Sequence, residues 1–176
     1  MKKDTRKAII DAFNELMQYN SFEEITVPKI LSKAEVSKAT FYRYFKDKQD
    51  VLCSNFDQIL SKSIEVSHDL PELMYQLALE YAMLGERAGK AFLKYSGDNN
   101  YTDYVNQKST EFLISLYQKT YGTDMTPEIL FKCRILMSGI SNSIPLLSMD
   151  VTHKEMRHRA ELLVEMMPEK VACLTW

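Results

Sequence analysis

The sequence predicts an all-α fold of about nine helices, and three observations support this fold class. Apolar residues recur at helical spacing (i, i+3, i+4, i+7) through most of the 176 residues. The chain contains five glycines and five prolines, few enough to favour long helices over many-turned β structure. No segment alternates apolar and polar residues with the period of two that a half-buried strand requires.

The first helix is predicted over residues 4–19 and ends at Asn20 and Ser21. Phe22 and Ile25 are expected to close a small core against its apolar stripe. That stripe consists of Ile9, Ala12, Phe13, Leu16 and Met17.

Two short helices around a tight turn are predicted over residues 26–45. Thr26 stands where an N-cap oxygen is needed for the first helix. The chain then breaks at Glu35 and Val36, and Ser37 is placed to cap the second helix. The apolar face of the first helix consists of Val27, Ile30, Leu31 and Ala34.

The second short helix has two unlike faces. Phe41 and Phe45 lie four residues apart and are expected to turn inward. The opposite face carries Ala39, Thr40, Tyr42 and Arg43, with Lys38 at its edge. Arg and Lys suit phosphates and guanine edges, Tyr and Thr suit phosphate oxygens, and a small residue allows close approach. An ordinary solvated helix face is the alternative interpretation of this window alone.

A third helix is predicted to start directly afterwards, with Asp47 as its N-cap and Asp50 at its third position. Lys46 and Lys48 bracket this start, where free N–H groups and the helix dipole favour an anion. The capped helix pair, the polar outward face and the basic helix start together indicate a helix-turn-helix with flanking phosphate-binding groups.

Residues at fixed spacing between positions 26 and 52 carry a resemblance to a known family. They are Thr26, Ile30, Ala34, Val36, Ser37, Phe41, Tyr42, Tyr44, Phe45, Lys48 and Leu52. This pattern resembles the DNA-binding domain of the TetR family of transcriptional regulators, in which the third helix enters the major groove. Glu35 stands where the family usually has glycine, and Leu31 where it usually has alanine. A non-glycine residue in a left-handed turn costs about 1–2 kcal/mol, so the turn is expected to be either right-handed or mildly strained.

The resemblance and the outward helix face together imply a set of DNA-binding residues. Lys38 and Ala39 are expected at base edges. Phosphate contacts are expected from Thr26, Ser37, Thr40, Tyr42, Arg43, Tyr44 and Lys48. The implied partner is double-stranded DNA carrying a pseudo-palindromic operator, read by two recognition helices about 34 Å or a multiple apart.

The charge distribution agrees with a division into two domains. Residues 1–48 carry ten Lys and Arg against seven Asp and Glu, a net charge of +3. Residues 49–176 carry 12 basic and 17 acidic residues, a net charge of −5. We therefore expect a DNA-binding domain over 1–48 and a helical regulatory and dimerisation domain over 49–176.

The second domain is predicted to be helical throughout. A long helix from residue 48 to about residue 67 belongs to both domains and is a candidate for transmitting movement between them. A helix start follows at 69–72, then a weak point between Gly85 and Gly89, a short helical stretch over 91–95 and a polar loop over 96–100.

Two long helices are predicted to end the chain. A helix of about 20 residues ends at Gly122 in a left-handed cap position. Thr126 and Pro127 then start a helix that is apolar nearly all round and that Pro145 kinks or ends. Thr152 and Glu155 form a capping-box sequence for the last helix, which stops before Pro168. In the TetR family the last two long helices, here those starting at Thr126 and Thr152, pair with the same helices of a second subunit, which implies a homodimer. The alternative is that these two helices form the central core of the domain.

The sequence contains no recognisable catalytic constellation, so we do not expect an enzyme, a cofactor or a metal site. The histidines and cysteines are too few and too widely spaced for metal motifs, with the cysteines expected to be mostly buried and the histidines at the surface. No run of about 18 apolar residues is present, and the start lacks a signal-peptide core, so a cytoplasmic protein without a membrane span is expected.

The expected function is that of a TetR-like DNA-binding transcriptional regulator, a repressor released by a small-molecule effector. Aromatic side chains of the second domain either line a cavity for an apolar effector or pack between helices. They are Tyr75, Tyr81, Phe92, Tyr95, Tyr101, Tyr104, Phe112, Tyr117 and Phe131. The alternative is a protein-interaction or co-activator module that keeps the TetR-like scaffold, has no effector and acts through a partner protein.

Overall fold

The computed structural model describes residues 4–83, 99–147 and 151–176, and it is all-α as the sequence predicts. Nine helices lie in these ranges. They are α1 (Thr5–Tyr19), α2 (Val27–Ala34), α3 (Lys38–Tyr44), α4 (Lys48–Val66), α5 (Leu70–Met83), α6 (Asn99–Tyr121), α7 (Pro127–Leu147), α8 (His153–Glu165) and α9 (Glu169–Ala172). Within the described ranges the only β feature recorded is an isolated antiparallel bridge between Asp69 and Thr175.

The first three helices close a small core around the predicted apolar stripe of α1. Phe13 and Phe22 meet edge to face with ring centroids 6.1 Å apart. Phe41 and Phe45 on α3 lie 5.8 Å apart, and both are buried. Ile25 is fully buried in the same hydrophobic cluster. Burial of this kind, at about 25 cal/mol per Å² of apolar surface, is the main force that holds such short helices together.

The fourth helix belongs to both parts of the molecule, as the sequence predicts. It packs against α1 on one side and against α5 and α6 on the other. Asn14 on α1 donates a hydrogen bond to the buried Asn55 side chain on α4, at 2.9 Å. Tyr104 on α6 donates to the Asp57 carboxylate on α4, at 2.7 and 2.8 Å from its two oxygens. Helix α4 therefore contacts helices of both predicted domains.

The segment after α8 returns to the far end of α4, which the sequence did not predict. Val171 and Leu174 are fully buried. The Trp176 indole N–H donates to the Ile64 carbonyl at 3.1 Å, and the Trp176 main-chain N–H donates to the His68 carbonyl at 3.1 Å. The Trp176 ring also meets Phe112 on α6 edge to face at 5.5 Å. This segment thus fastens α4, α6 and the α4–α5 turn to one another.

Several predicted helix ends are confirmed. Gly122 adopts a left-handed conformation with φ +67°, and its N–H bonds to the Gln118 carbonyl at 2.8 Å. The Thr152 hydroxyl accepts the Glu155 N–H at 3.2 Å. The reciprocal half of the capping box is replaced, because the Glu155 carboxylate accepts a bond from Arg159 at 3.1 Å.

Other predictions need correction. Helix α7 continues to Leu147, so Pro145 does not end it. Asn99 and Asn100 belong to α6 rather than to a loop. Three other predicted features lie outside the described residues: the weak point at Gly85 and Gly89, the stretch 91–95 and the rest of the polar loop. Helix α9 was not predicted at all, since four residues are too few for a periodic pattern.

The cysteines also differ from expectation, because they are not uniformly buried. Cys133 is buried, Cys53 is half-buried and Cys173 is exposed. All three thiols are free. The three histidines are exposed, as predicted, and His153 Nδ1 shares a hydrogen bond with the Tyr75 hydroxyl at 3.0 Å.

Candidate nucleic-acid interface

The turn between α2 and α3 is left-handed at Glu35. Its φ and ψ are 57° and 43°, the single positive φ of a non-glycine residue in the described ranges. The N–H groups of Glu35 and Val36 both bond to the Leu31 carbonyl, the second at 3.1 Å. These bonds close the end of α2 and hold Glu35 in a conformation that costs roughly 1–2 kcal/mol outside glycine. Of the two geometries that the sequence allowed, the structure adopts the mildly strained one.

Hydroxyl groups fix the starts of the two short helices. The Thr26 hydroxyl accepts the Lys29 N–H at 3.4 Å. The Ser37 hydroxyl accepts the Thr40 N–H at 3.1 Å and lies 2.9 Å from the Thr40 hydroxyl. The predicted caps are therefore confirmed: Thr26 caps the start of α2, and Ser37 caps the start of α3, where Thr40 lies in the first turn. Their phosphate role stays a prediction.

Helix α3 exposes the side chains that the sequence assigns to DNA. Phe41 is fully buried beneath them. Thr40 is half-buried at the margin. The exposed members of the predicted set that lie on α3 itself are Lys38, Ala39, Tyr42, Arg43 and Tyr44, and Thr26 and Ser37 before the two helices are exposed as well. The structure therefore exposes five of the nine predicted residues on one seven-residue helix.

The cations on this face are held by aromatic rings rather than by carboxylates. The Arg43 guanidinium lies 4.9 Å from the Tyr44 ring centre, and its Nη2 donates to the Tyr44 hydroxyl at 3.3 Å. The Lys38 ammonium lies 5.9 Å from the Tyr42 ring centre. Such contacts orient a cation without neutralising it. No ion pair is recorded for either cation within the described ranges.

Other lysines of the first domain are bound by acceptors within the protein. Lys33 forms an ion pair with Glu15, and the hydrogen bond to that carboxylate raises the pKa of Lys33. Lys29 donates to the Glu24 carbonyl at 2.9 Å. The net charge of the domain is therefore a poor guide to its open cations, which among the described residues include Lys38, Arg43 and Lys46.

The start of α4 already holds an anion. The Asp47 carboxylate accepts the N–H groups of Gln49 and Asp50, both at 2.9 Å. The Asp50 carboxylate accepts the Lys46 N–H at 2.9 Å. The predicted cap is confirmed, and it occupies N–H groups that the sequence interpretation had offered to a phosphate.

Lys48 is the predicted site residue whose surroundings differ most from expectation. Its ammonium donates to the carbonyls of Phe22 at 2.7 Å and Ile25 at 2.9 Å, and lies 3.5 Å from that of Glu23. Burial lowers the pKa of Lys48, and the nearby Glu23 carboxylate opposes that shift. No sequence signal could have revealed these contacts, because the acceptors are main-chain atoms 23 to 26 positions away. Its phosphate contact stays a prediction, but three protein acceptors already surround the charge.

The helices that form this site match a known family. Residues 9–53, which include α2, α3 and the start of α4, match the model for bacterial regulatory proteins of the tetR family. This N-terminal part of the chain is therefore similar to the tetR family of bacterial regulatory proteins. The matched residues contain every side chain assigned to DNA above.

Named relatives of this chain are regulators of transcription. The dhaKLM operon transcriptional activator DhaS of Lactococcus lactis is 33% identical over 88 residues, which cover 49% of this chain and 47% of that protein. The fatty acid metabolism regulator protein of Bacillus subtilis is 30% identical over 118 residues, covering 67% and 59%. The chain thus spans about half the length of these relatives, and the proteins with which it is compared are regulators, not enzymes.

Solved structures extend the likeness to the whole fold. The dihydroxyacetone kinase operon activator DhaS aligns with a TM-score of 0.65 at 17% identity, covering 98% of this chain and 99% of that one. A TetR-family regulator from Syntrophomonas wolfei aligns with a TM-score of 0.59 at 17% identity and covers 94% of both chains. At these identities the likeness concerns the fold, an N-terminal helix-turn-helix followed by a helical domain.

No described helix is both long and apolar enough to cross a membrane. In the same ranges no cluster of three or more potential metal-ligating side chains occurs.

Proposed function

We propose that this chain is a TetR-family, sequence-specific DNA-binding transcriptional regulator that acts as a homodimer in the cytoplasm. The observation that carries the proposal is the exposed face of α3, where Lys38 and Arg43 are oriented by aromatic rings within the segment that matches the family. Two such faces would read successive major grooves of a pseudo-palindromic operator. The domain division at residues 1–48 and 49–176 belongs to the same proposal.

The proposed roles divide the site between base edges and phosphates. Lys38 and Ala39, in the first turn of α3, would approach base edges, where a long cation and a small side chain allow close contact. The remaining residues of the site would bind phosphates: Thr26, Ser37, Thr40, Tyr42, Arg43 and Tyr44. Lys48 was expected among them from the sequence, but its ammonium is enclosed by the carbonyls of Phe22, Glu23 and Ile25. Arg43 and Tyr44, already joined by a hydrogen bond, could share one phosphate between them.

The homodimer would form through α7 and α8. Phe131 and Ile135 on α7 lie one turn apart and are 66% and 60% exposed, and Met166 just after α8 is 65% exposed. These three line one groove of about 430 Å³ together with Leu136, Met167, Pro168 and a single charged residue, Lys132. A contiguous apolar surface of this kind is typical of a protein–protein interface, and a second copy of α7 and α8 is complementary to it by symmetry.

The mode of regulation has two candidates. The first is a repressor that an apolar small molecule releases from DNA by favouring a conformation with the wrong spacing of recognition helices. The second is the co-activator or interaction module, and two observations favour considering it. The hydroxyls of the fully buried Tyr81 and Tyr101 lie 3.3 Å apart, and Tyr104 is bound to Asp57, so these aromatic residues serve helix packing. The relative DhaS is also named as an activator rather than a repressor.

The experiment that tests the proposal is a selection followed by a binding assay. The protein selects duplexes from a random-sequence library, and the enriched duplex is compared with a random duplex of equal length by fluorescence anisotropy. A TetR-like regulator should enrich a pseudo-palindrome and bind it at least about 10³-fold more tightly than random DNA. An unenriched library, with equal weak binding to both duplexes, would refute sequence-specific DNA binding.

A further inference from the structure

Lys48 makes contacts that the proposed function has not used. It is the first residue of α4, and its ammonium is directed at the turn that joins α1 to α2. The Phe22 and Ile25 carbonyls lie 2.7 and 2.9 Å from Nζ, and the Glu23 carbonyl lies 3.5 Å away. An ammonium has three donors, so three carbonyls account for its hydrogen-bonding capacity. The charge also lies 4.2 Å from the centre of the Phe22 ring, at cation–π distance.

Two of the three acceptors of Lys48 belong to buried residues. Phe22 and Ile25 are buried in the core of the first domain. Thr26, which follows them directly, caps α2 and so fixes the start of the helix-turn-helix. Lys48 therefore connects the first turn of α4 to the chain segment from which α2 emerges. A second connection, from Asn14 to Asn55, lies two turns further along α4.

From these contacts we propose that Lys48 is a positioning residue for DNA binding. It fixes the start of α4 to the turn at residues 22–25, so that α2 and α3 move with α4 as one body. In this role its ammonium serves main-chain carbonyls and is not the ligand of a phosphate. The inference rests on the proposed function, because it explains how a movement of α4 would reach the recognition helix.

Lys46 provides the natural contrast. It lies two positions earlier, just before the same helix, and its side chain is exposed. Its main-chain N–H bonds to Asp50, whereas no acceptor is recorded for its ammonium in the described ranges. Lys46 therefore keeps a charge available to a phosphate at nearly the same place. The two lysines form a matched pair, one enclosed and one open.

The binding test uses Lys48→Met, Lys48→Arg and Lys46→Met with the duplex that the wild-type protein selects from a random library. Affinity for that duplex and for a random one is measured across a salt series. Lys48→Met should lower the ratio of the affinity for the selected duplex to the affinity for the random duplex about tenfold, the factor that follows from losing one charge-assisted hydrogen bond. The slope of log affinity against log salt concentration should stay unchanged. Lys48→Arg should not restore the ratio, because a planar guanidinium cannot direct three donors to converging carbonyls. Lys46→Met should reduce the slope by about 0.9, the value for one phosphate contact.

An additional variant separates positioning from a general loss of stability. Ile10→Val removes one methylene group from the buried core of the first domain and leaves the contacts of Lys48 intact. It should keep the ratio of selected to random affinity. If Ile10→Val lowers this ratio as much as Lys48→Met does, the positioning role is overturned. It is also overturned if Lys48→Met reduces the salt slope by about 0.9 and Lys48→Arg restores that slope.

A measurement without DNA distinguishes this inference from the proposed function. The main-chain N–H groups of Glu24 and Ile25 both donate to the Ser21 carbonyl within the turn, and the Ile25 N–H also donates to the Phe22 carbonyl. Their hydrogen exchange should become about tenfold faster in Lys48→Met and stay unchanged in Lys46→Met. If wild-type protein selects a duplex but exchange in Lys48→Met is unchanged, the positioning role alone is overturned. If wild-type protein selects no duplex, the proposed function fails, and the positioning role fails with it whatever the exchange rates are.

Discussion

Replacing Phe131 with alanine should weaken the proposed dimer without unfolding the subunit. Phe131 is 66% exposed on α7, so its side chain contributes little to the core of a single subunit. Complete burial of a phenylalanine side chain is worth about 1.5–3 kcal/mol. Burying the exposed two thirds in a two-fold dimer, where the residue occurs twice, gives roughly 2–4 kcal/mol per dimer. The dimer dissociation constant should therefore rise about 30- to 700-fold.

The assay for this prediction is sedimentation over a range of protein concentrations, with circular dichroism as a check on helix content. Tyr19 gives a matched control, because it is an aromatic residue with 74% exposure that lies on α1, away from α7 and α8. Tyr19→Ala should leave the dissociation constant unchanged. Equal dissociation constants for wild type and Phe131→Ala would refute the reasoning, as would an equal effect of Tyr19→Ala.

Four further predictions follow from individual contacts. Lys38→Ala should weaken binding to the selected duplex by about 1–3 kcal/mol and relax the base preference at the position that Lys38 contacts. Fluorescence anisotropy against duplexes substituted one base pair at a time measures both effects, and equal weakening on all duplexes would contradict the base-edge role. Trp176→Phe should lower the free energy of unfolding by about 1 kcal/mol, because the Ile64 carbonyl loses its indole donor, and an unchanged urea midpoint would count against that contact. Cys173 should react with iodoacetamide well before Cys53, since Cys173 is exposed whereas burial raises the pKa of the Cys53 thiol to about 11; mass spectrometry of partly labelled protein gives the order. Burial raises the pKa of Tyr81 to about 12 from an ordinary value of 10.0. The unfolded state therefore loses this proton first, and the free energy of unfolding should fall as pH rises from 10 towards 12. In urea titrations over that range, Tyr81→Phe should show a shallower fall.

The sequence was most informative where local chemistry decides the structure. Thr26, Ser37 and Asp47 each cap a helix as predicted, because a cap depends on residues within three positions of one another. The inward pair Phe41 and Phe45 was equally accessible from helical spacing. The exposed face of α3 then follows, since a short helix that buries one side must present the other.

Contacts between distant parts of the chain could not be predicted in this way. The acceptors of Lys48 are main-chain carbonyls, which every residue carries, so no residue type marks them. The bond from Trp176 to Ile64 joins residues 112 positions apart and depends on how α4 and the last segment pack. Pro145 illustrates another limit, because the helix continues past it to Leu147 although a proline removes a hydrogen-bond donor.

Glu35 shows how a residue can oppose its local preference and still keep a motif intact. It holds a left-handed conformation at the turn of the helix-turn-helix, where glycine would be unstrained. The two N–H groups that bond to the Leu31 carbonyl, and the buried side chains on either side of the turn, offset that cost. Its exposed carboxylate also adds a negative charge beside the proposed DNA surface.

The central claim is that the exposed face of α3 reads DNA sequence. The most direct measurement is the affinity of wild-type protein and of Lys38→Ala for the selected duplex and for random DNA, across a salt series. We predict tight binding of the wild type to the selected duplex, weak and strongly salt-dependent binding to random DNA, and a smaller difference between the two for Lys38→Ala. Equal affinity of the wild type for both duplexes at every salt concentration would contradict the account.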